Sequence, residues 1–335
     1  MSSVYIIAEI GNSHEGSLGL AKKFAESAAR CGVDCIKFQT HMFEAESLPN
    51  APNPPYFKDE TRQEYFDRTA FNTKQWAELK RFIEEDLGLD FMSSPFSLEA
   101  VDLLESIGVE SFKIASGEVT NLPLLEKVAR TGKKVYLSSG MSNWAELDQA
   151  VDTLRQSGCK DLLVFQCTSE YPCPPEQAGL NAMVEMKNRY QCEVGYSDHT
   201  LGLAVPLSAV VMGASVIEKH FVLSKDMYGS DAKNATEPAE FGRLVSEIRA
   251  MEQALSHTVD KDKKAAGLQS MKWTFEKSIV AARDLSKGTE IIMDDLAFKK
   301  PGNGINANQF KLVLGKTLKT DLSKNEQLSF EILEK

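Results

Sequence analysis

Eight short β-rich runs alternate with longer amphipathic or alanine-rich stretches through the first 250 or so residues, and that rhythm restricts the fold more than anything else in the chain. The runs are 4–10, 35–39, 90–93, 111–114, 134–137, 162–167, 193–197 and 216–221. Helix-like stretches separate them at 18–31, 73–87, 98–107, 122–131, 145–157, 180–189 and 203–212, and 237–255 reads as a closing helix. A strand, a helix and a further strand build a parallel sheet through right-handed crossovers. Eight such units predict a closed (β/α)8 TIM barrel of the α/β class, because an open six-stranded sheet would leave two runs unplaced. Residues 49–67, with four prolines among the first seven, read as an insertion after the second strand.

The barrel pattern fills residues 1–256. The polar, lysine-rich stretch that follows (Asp260-Lys-Asp-Lys-Lys264) places a linker at 257–275. Residues 276–335 change to short strands and turns. They carry an internal repeat, Asp284-Leu-Ser-Lys-Gly-Thr-Glu-Ile291 against Asp321-Leu-Ser-Lys-Asn-Glu-Gln-Leu328, which predicts a small pseudo-symmetric β domain. So small a domain needs something larger to dock against.

Barrel active sites lie at the C-terminal ends of the strands, and the residues there are polar and titratable. His199 and His220, two of only five histidines, close the last two runs. Strand–helix–strand geometry brings both imidazoles to one edge, where they can share a divalent metal. Lys37 and Lys113 emerge from apolar runs, with Ser94, Ser116 and Ser138 at neighbouring ends. Two ammonium groups amid hydroxyls suit a phosphate or a phosphorylated carboxylate. Glu9 is a strand-end carboxylate for sugar hydroxyls or acid/base work. Asp231, in the loop after strand eight, suits a polyol or is merely structural. Asp198 either orients His199 or points into the wall. His14 and His41 are rim candidates or bystanders, and His257 falls in the linker.

A formal net charge of −10 argues against a general nucleic-acid or anionic-membrane surface, so an anionic substrate would need the local basic patch just described. No segment has the apolar length of a membrane span. Met1-Ser-Ser leads directly into Val4-Tyr-Ile-Ile-Ala8, so no signal peptide is expected. Six cysteines without a CxxC pair read as reduced thiols of a cytoplasmic protein.

In its motifs the chain resembles bacterial sialic-acid synthases. They are Ala8-Glu-Ile-Gly-Asn-Ser-His-Glu-Gly16, Ile36-Lys-Phe-Gln-Thr-His41, Ser93-Ser-Pro-Phe96, Lys113-Ile-Ala-Ser-Gly-Glu118, Leu137-Ser-Ser-Gly-Met141, Cys167-Thr-Ser-Glu-Tyr-Pro172, Tyr196-Ser-Asp-His-Thr200, Ile217-Glu-Lys-His-Phe221 and Lys299-Lys-Pro-Gly-Asn-Gly304. The last 60 residues resemble the SAF domain, which is similar to type III antifreeze proteins. The resemblance implies a transferase that condenses phosphoenolpyruvate with the open-chain aldehyde of an N-acetylated hexosamine, giving a nonulosonic acid and phosphate by C–O cleavage. It implies Mn2+, or Mg2+ or Co2+, on His199 and His220. It places phosphoenolpyruvate on Lys37, Ser94, Lys113, Ser116, Ser138, Ser169 and Ser197, and the sugar on Glu9, Gln39, Tyr171 and Asp231. It further implies a domain-swapped homodimer in which Lys300 of the partner chain reaches the sugar.

Three positions depart from that pattern. Ser169 stands where the family has asparagine, Lys300 where sialic-acid synthases have an arginine, and Tyr228-Gly-Ser230 where they carry proline around the glycine. Lysine cannot reproduce a planar two-pronged contact. The stretches Gly117-Glu-Val-Thr-Asn-Leu-Pro123 and Thr168-Ser-Glu-Tyr171 lean toward legionaminate-type relatives, leaving N-acetylneuraminate and legionaminate open, with pseudaminate behind. Two other readings stand beside this one. Lys113 could be the Schiff-base nucleophile of a pyruvate aldolase, or the small domain could serve a sugar- or ice-binding protein.

Overall fold

The protein, seen here in a computed structural model, is described over residues 3–53, 59–229 and 231–334. Part of the proline-rich insertion, residues 54–58, and Ser230 lie outside the described residues. The chain divides into two compact units, Met1–Ser256 and His257–Lys335.

The first unit is a closed parallel barrel of β1 (Tyr5–Gly11), β2 (Cys35–Thr40), β3 (Asp90–Pro95), β4 (Ser111–Ile114), β5 (Lys134–Ser138), β6 (Leu162–Cys167), β7 (Glu193–Asp198) and β8 (Val216–His220), with β8 pairing back onto β1. Side chains alternate between the two faces of a strand. Outward residues such as Ile6, Ala8, Ile36, Phe38, Phe112, Ile114, Val164 and Ile217 pack in the core shared with the helices. Inward residues Ile7, Cys35, Met92, Tyr136, Leu163, Phe165 and Val216 form a separate apolar plug. Burial on both faces is why these strands read as nearly unbroken apolar runs.

Two residues further along, the interior turns polar. Ile7 gives way to Glu9, Cys35 to Lys37, Met92 to Ser94, Tyr136 to Ser138, Phe165 to Cys167 and Val216 to Glu218. The barrel therefore carries an apolar layer below and a charged one above, toward the C-terminal rim.

Helices begin where polar caps allow. Ser17, Ser97, Asn121 and Asn143 each accept from a backbone N–H in the first turn of the helix they start, at Leu18–Arg30, Leu98–Ser106, Leu122–Arg130 and Trp144–Gln156. The helix expected over 73–87 is α-helical over Thr73–Arg81 and finishes as a π turn over Phe82–Asp86. The insertion after β2 contains a helix the sequence reading missed, Arg62–Thr69, started by a reciprocal Thr61–Glu64 capping box. No helix among the described residues is long and apolar enough to cross a membrane.

The second unit pairs Ser278–Ala281 with Leu296–Lys299 and Thr317–Leu318 with Leu333–Glu334 around Ile279, Val313, Leu318 and Leu328. Its repeat is a structural pseudo-twofold. Leu285 and Leu322 exchange backbone hydrogen bonds at 2.8 Å in both directions. The Lys287 N–H donates to Asp321, and the Lys324 N–H donates to Asp284, each at 2.7 Å. The stretch read as a linker, 257–275, is helical over Lys261–Ala266 and Gln269–Phe275 and belongs to this unit. Asp260 caps the first of these helices by accepting from the N–H groups of Asp262 and Lys263.

Candidate active site

At the C-terminal rim the charged layer becomes a network. Lys37 Nζ lies 2.7 Å from Glu9 Oε2 and 3.6 Å from Glu218 Oε1. Lys113 Nζ lies 2.8 Å from Glu218 Oε1, which also accepts from Ser197 Oγ at 3.2 Å. The Lys37 ammonium reaches Ser94 Oγ at 3.5 Å. All four charged side chains are at most 6% exposed. Burial would lower Lys37, but the Glu218 and Glu9 carboxylates outweigh it and hold the ammonium above its ordinary range. Burial would raise Glu218, but Lys113 and Lys37 pull it well below the usual carboxylate range. Two ammonium groups against two carboxylates give the layer no net charge. The second oxygen of Glu218 is buried without a hydrogen-bond partner.

A bulge in β1 between Glu9 and Gly11 re-aims the strand end. Gly11 has a φ of +56°, and a Cβ there would lie 3.2 Å from Asp231 Oδ2 and 3.4 Å from Gln39 Nε2. The glycine thus lets the amide and the carboxylate close over the strand. Gln39 Nε2 donates to Glu9 Oε1 at 2.8 Å.

The imidazoles of His199 and His220 converge, with ring centroids 5.4 Å apart. His199 Nδ1–H donates to the Thr168 carbonyl at 2.8 Å, so in the neutral ring Nε2 is the bare nitrogen. The Tyr171 ring packs against His199 at 4.2 Å. His220 Nδ1 is buried with no hydrogen-bond partner and sits 3.8 Å from Asp231 Oδ2. Burial lowers His220, with Asp231 opposing and His199 reinforcing the shift. Cys167 lies 3.8 Å from His199 Nδ1. Burial would raise its thiol, but His199 brings it down to about 7. Two buried imidazoles, one tautomer fixed by a carbonyl and the other with an orphaned nitrogen, fit a shared divalent ion. Among the described residues no group of three or more His, Cys, Asp and Glu is arranged to hold one, so the remaining coordination positions would fall to substrate or water.

Beside Cys167, Gly140 packs where no side chain fits. A Cβ there would sit 2.3 Å from Ser169 Oγ, 2.6 Å from Ser116 Oγ and 2.9 Å from Cys167 Sγ. The Gly140 N–H donates to Ser116 Oγ at 3.0 Å, and the Ser169 N–H to the Gly140 carbonyl at 3.4 Å.

One cavity is lined by Glu9, Lys37, Gln39, Ser94, Lys113, Ser116, Ser138, Tyr171, Ser197, His199 and His220, with Glu218 and Cys167 among them. Asp231 and Ser169 flank it through His220 and Ser116, whereas Lys300 belongs to the second unit, its ammonium 5.1 Å over the Phe275 ring. Asp198 points into the wall and pairs with Lys219, which also donates to the Thr200 carbonyl at 2.7 Å. His14 is a core residue stacked on Phe71 at 4.4 Å. Glu218 went unassigned in the sequence, although its place two residues before His220 puts both on the barrel interior. A larger hollow at the opposite mouth, where Tyr5 donates to Asp90, lies away from all of these groups.

Fold and rim together define an enzyme of the (β/α)8 class, built over a charged layer. Its sequence narrows that class: residues 24–260 match the NeuB family and residues 276–334 the SAF domain, and the chain belongs to the NeuB family, an enzyme family of nonulosonate synthases. The N,N'-diacetyllegionaminic acid synthase of Campylobacter jejuni is 38% identical, covering 97% of this chain and 99% of that one. The pseudaminic acid synthase of Helicobacter pylori is 31% identical over 98% of both. The solved structure of an N-acetylneuraminic acid synthetase from Leptospira borgpetersenii, in complex with citrate, superposes with a TM-score of 0.69 at 31% identity, covering 81% of this chain and 93% of that one.

Proposed function

We propose that this enzyme joins phosphoenolpyruvate to the open-chain aldehyde of a 2,4-diacetamido-2,4,6-trideoxyhexose, forming a legionaminate-type nonulosonic acid and inorganic phosphate. The observation that carries the reaction class is the buried Lys37–Glu9 and Lys113–Glu218 layer beneath the paired imidazoles. The sugar is supported by the 38% and 36% identity to two legionaminic acid synthases, against 30–34% for the neuraminate-9-phosphate and pseudaminic acid synthases.

In this reading Lys37 and Lys113 meet the phosphate and carboxylate of phosphoenolpyruvate, and Ser94, Ser116, Ser138, Ser169 and Ser197 donate to their oxygens. Glu9, Gln39, Tyr171 and Asp231 hold the sugar with its aldehyde over the layer. Carbon 3 of phosphoenolpyruvate attacks the aldehyde carbon, and the carbonyl electron pair ends as a hydroxyl after taking up one proton. Water adds to the cationic carbon 2 and loses a proton. The bond from carbon 2 to the phosphate oxygen then breaks as the carbon 2 hydroxyl gives up its proton to the departing phosphate, leaving the ketone.

His199 Nε2 and His220 would hold a divalent ion, Mn2+ or alternatively Mg2+ or Co2+, which when bound supplies Lewis-acid polarisation at the aldehyde oxygen. Charge supports this assignment: the layer sums to zero, so a phosphorylated carboxylate would otherwise enter with its charge uncompensated. The Lys113 amine is engaged as the ammonium half of a buried ion pair, which disfavours the Schiff-base reading. We place Lys300 on the sugar from the partner chain of a domain-swapped homodimer.

The test is phosphate release from phosphoenolpyruvate with Mn2+, comparing the diacetamido sugar with N-acetylmannosamine, each with and without EDTA. Faster, EDTA-sensitive release with the diacetamido sugar is expected. Preference for N-acetylmannosamine would reassign the substrate, and no release with either would overturn the reaction.

A further inference from the structure

His41 lies just beyond the end of β2, its ring stacked between Phe66 and Phe96 with both centroids at 4.0 Å. Nothing in the reaction proposed above uses it. Its side chain is 9% exposed and that of Glu46, its partner, 8%. Both ring nitrogens are engaged. Nδ1 is 2.8 Å from Glu46 Oε1, and Nε2 is 3.2 Å from Gln39 Oε1. A carboxylate and an amide carbonyl can only accept, so both ring nitrogens must carry hydrogens.

The alternative is a neutral ring with the Gln39 amide turned over. That would aim the Gln39 carbonyl at Glu9 Oε1, where the amide NH2 now donates at 2.8 Å. Glu9 is ion-paired with Lys37 and has no proton to offer that carbonyl. Two acceptors would then face each other in a buried site, which costs more than a lost hydrogen bond. One chain of hydrogen bonds thus runs from Glu46 through His41 and Gln39 to Glu9.

We infer that His41 is a positioning residue: as a doubly donating imidazolium it fixes which end of the Gln39 amide faces Glu9 and the sugar. Among the described residues, the charged groups that face it are Glu46 from the short helix Phe43–Glu46 and Glu118 from the turn after β4. The Phe66 and Phe96 rings and the Gln39 amide also meet it. A ring with only one hydrogen would have a single donor for two acceptors and could not fix the Gln39 amide. The kinetic part rests on the sugar-binding role proposed for Gln39, whereas the protonation state stands apart from it.

The experiment has two arms. In the full chain, freed of metal and labelled with 15N-histidine, one imidazole near pH 7 should show both nitrogens protonated. Its signal should vanish in His41→Phe and shift in Glu46→Gln. A bare nitrogen on that ring would overturn the inference whatever the enzyme turns over.

In the second arm, His41→Phe keeps an aromatic ring between Phe66 and Phe96 but no donor. The sugar KM should rise about tenfold or more, with the phosphoenolpyruvate KM unchanged. The double variant with Gln39→Ala should be no worse than Gln39→Ala alone. An unchanged sugar KM, or losses that add, would overturn the positioning role. Failure to turn over either sugar would count against the proposed reaction and leave the 15N result to decide this one.

Discussion

Lys113 and Glu218 meet inside the barrel at 2.8 Å, two charged side chains no more than 6% exposed. Their strands are not neighbours, since β8 pairs with β1 and β7 while β4 pairs with β3 and β5. The contact therefore crosses the barrel interior. Removing one partner of such a pair leaves a buried charge alone. Glu218→Gln is expected to destabilise the fold by about 3–5 kcal/mol and to raise the phosphoenolpyruvate KM. Adding Lys113→Met should recover much of the stability without the activity. Denaturant unfolding of the two single variants and the double closes the cycle, and simple additivity would contradict the pairing.

His220→Ala should lose bound metal and nearly all turnover together. Metal content after dialysis against Mn2+, read beside phosphate release, separates the two quantities. A variant that stays active while holding no metal would refute the assignment of the imidazole pair.

At Gly140 even a methyl group collides with Ser169, Ser116 and Cys167. Gly140→Ala is expected to push these groups out of place and lower kcat/KM for phosphoenolpyruvate about tenfold or more, equivalent to about 1.4 kcal/mol. Little change in melting temperature would show that the loss lies in the site.

His14 links stability to pH. The Gly16 N–H donates to its Nδ1 at 3.2 Å and its Nε2 is buried without a partner, while burial lowers the group from 6.5 to about 3. Below pH 6.5 the unfolded chain takes up a proton that the folded one refuses. This contribution is complete above pH 6.5 and is lost toward pH 3, with a slope approaching about 1.4 kcal/mol per pH unit. His14→Leu should flatten the pH dependence of the unfolding free energy by one proton, and an unchanged slope would place the titration elsewhere.

Lys300→Ala should raise the sugar KM far more than the phosphoenolpyruvate KM, because only the sugar would meet this residue. Equal rises in steady-state kinetics would remove Lys300 from the sugar site.

The barrel was legible because its strands are buried on both faces and several of the neighbouring helices open on a side-chain cap. The runs at 111–114 and 162–167 coincide with β4 and β6. The rim residues were legible for the same reason, since strand ends announce themselves once strands are placed. What escaped needed side-chain direction. Asp198 and Lys219 stand next to His199 and His220 in sequence, yet period-two alternation turns them into the wall. Glu218 shares its face with His220 and was passed over. The helix Lys261–Ala266 hid in a lysine-rich segment because charge, not apolar periodicity, dominates its composition. The double donation by His41 depends on where Glu46 and the Gln39 amide come to rest, which no spacing rule encodes.

The crossed contacts of the second unit also govern how it can assemble in time. Asp284 completes a turn that belongs to the other half, and Asp321 returns the same service. For these two carboxylates neither copy finds the partner within its own segment, so a growing chain cannot complete the first copy's turn before the second has emerged. Ordering must await a loop closure between Leu285 and Leu322, and the two copies should then gain protection from solvent exchange as a single cooperative step.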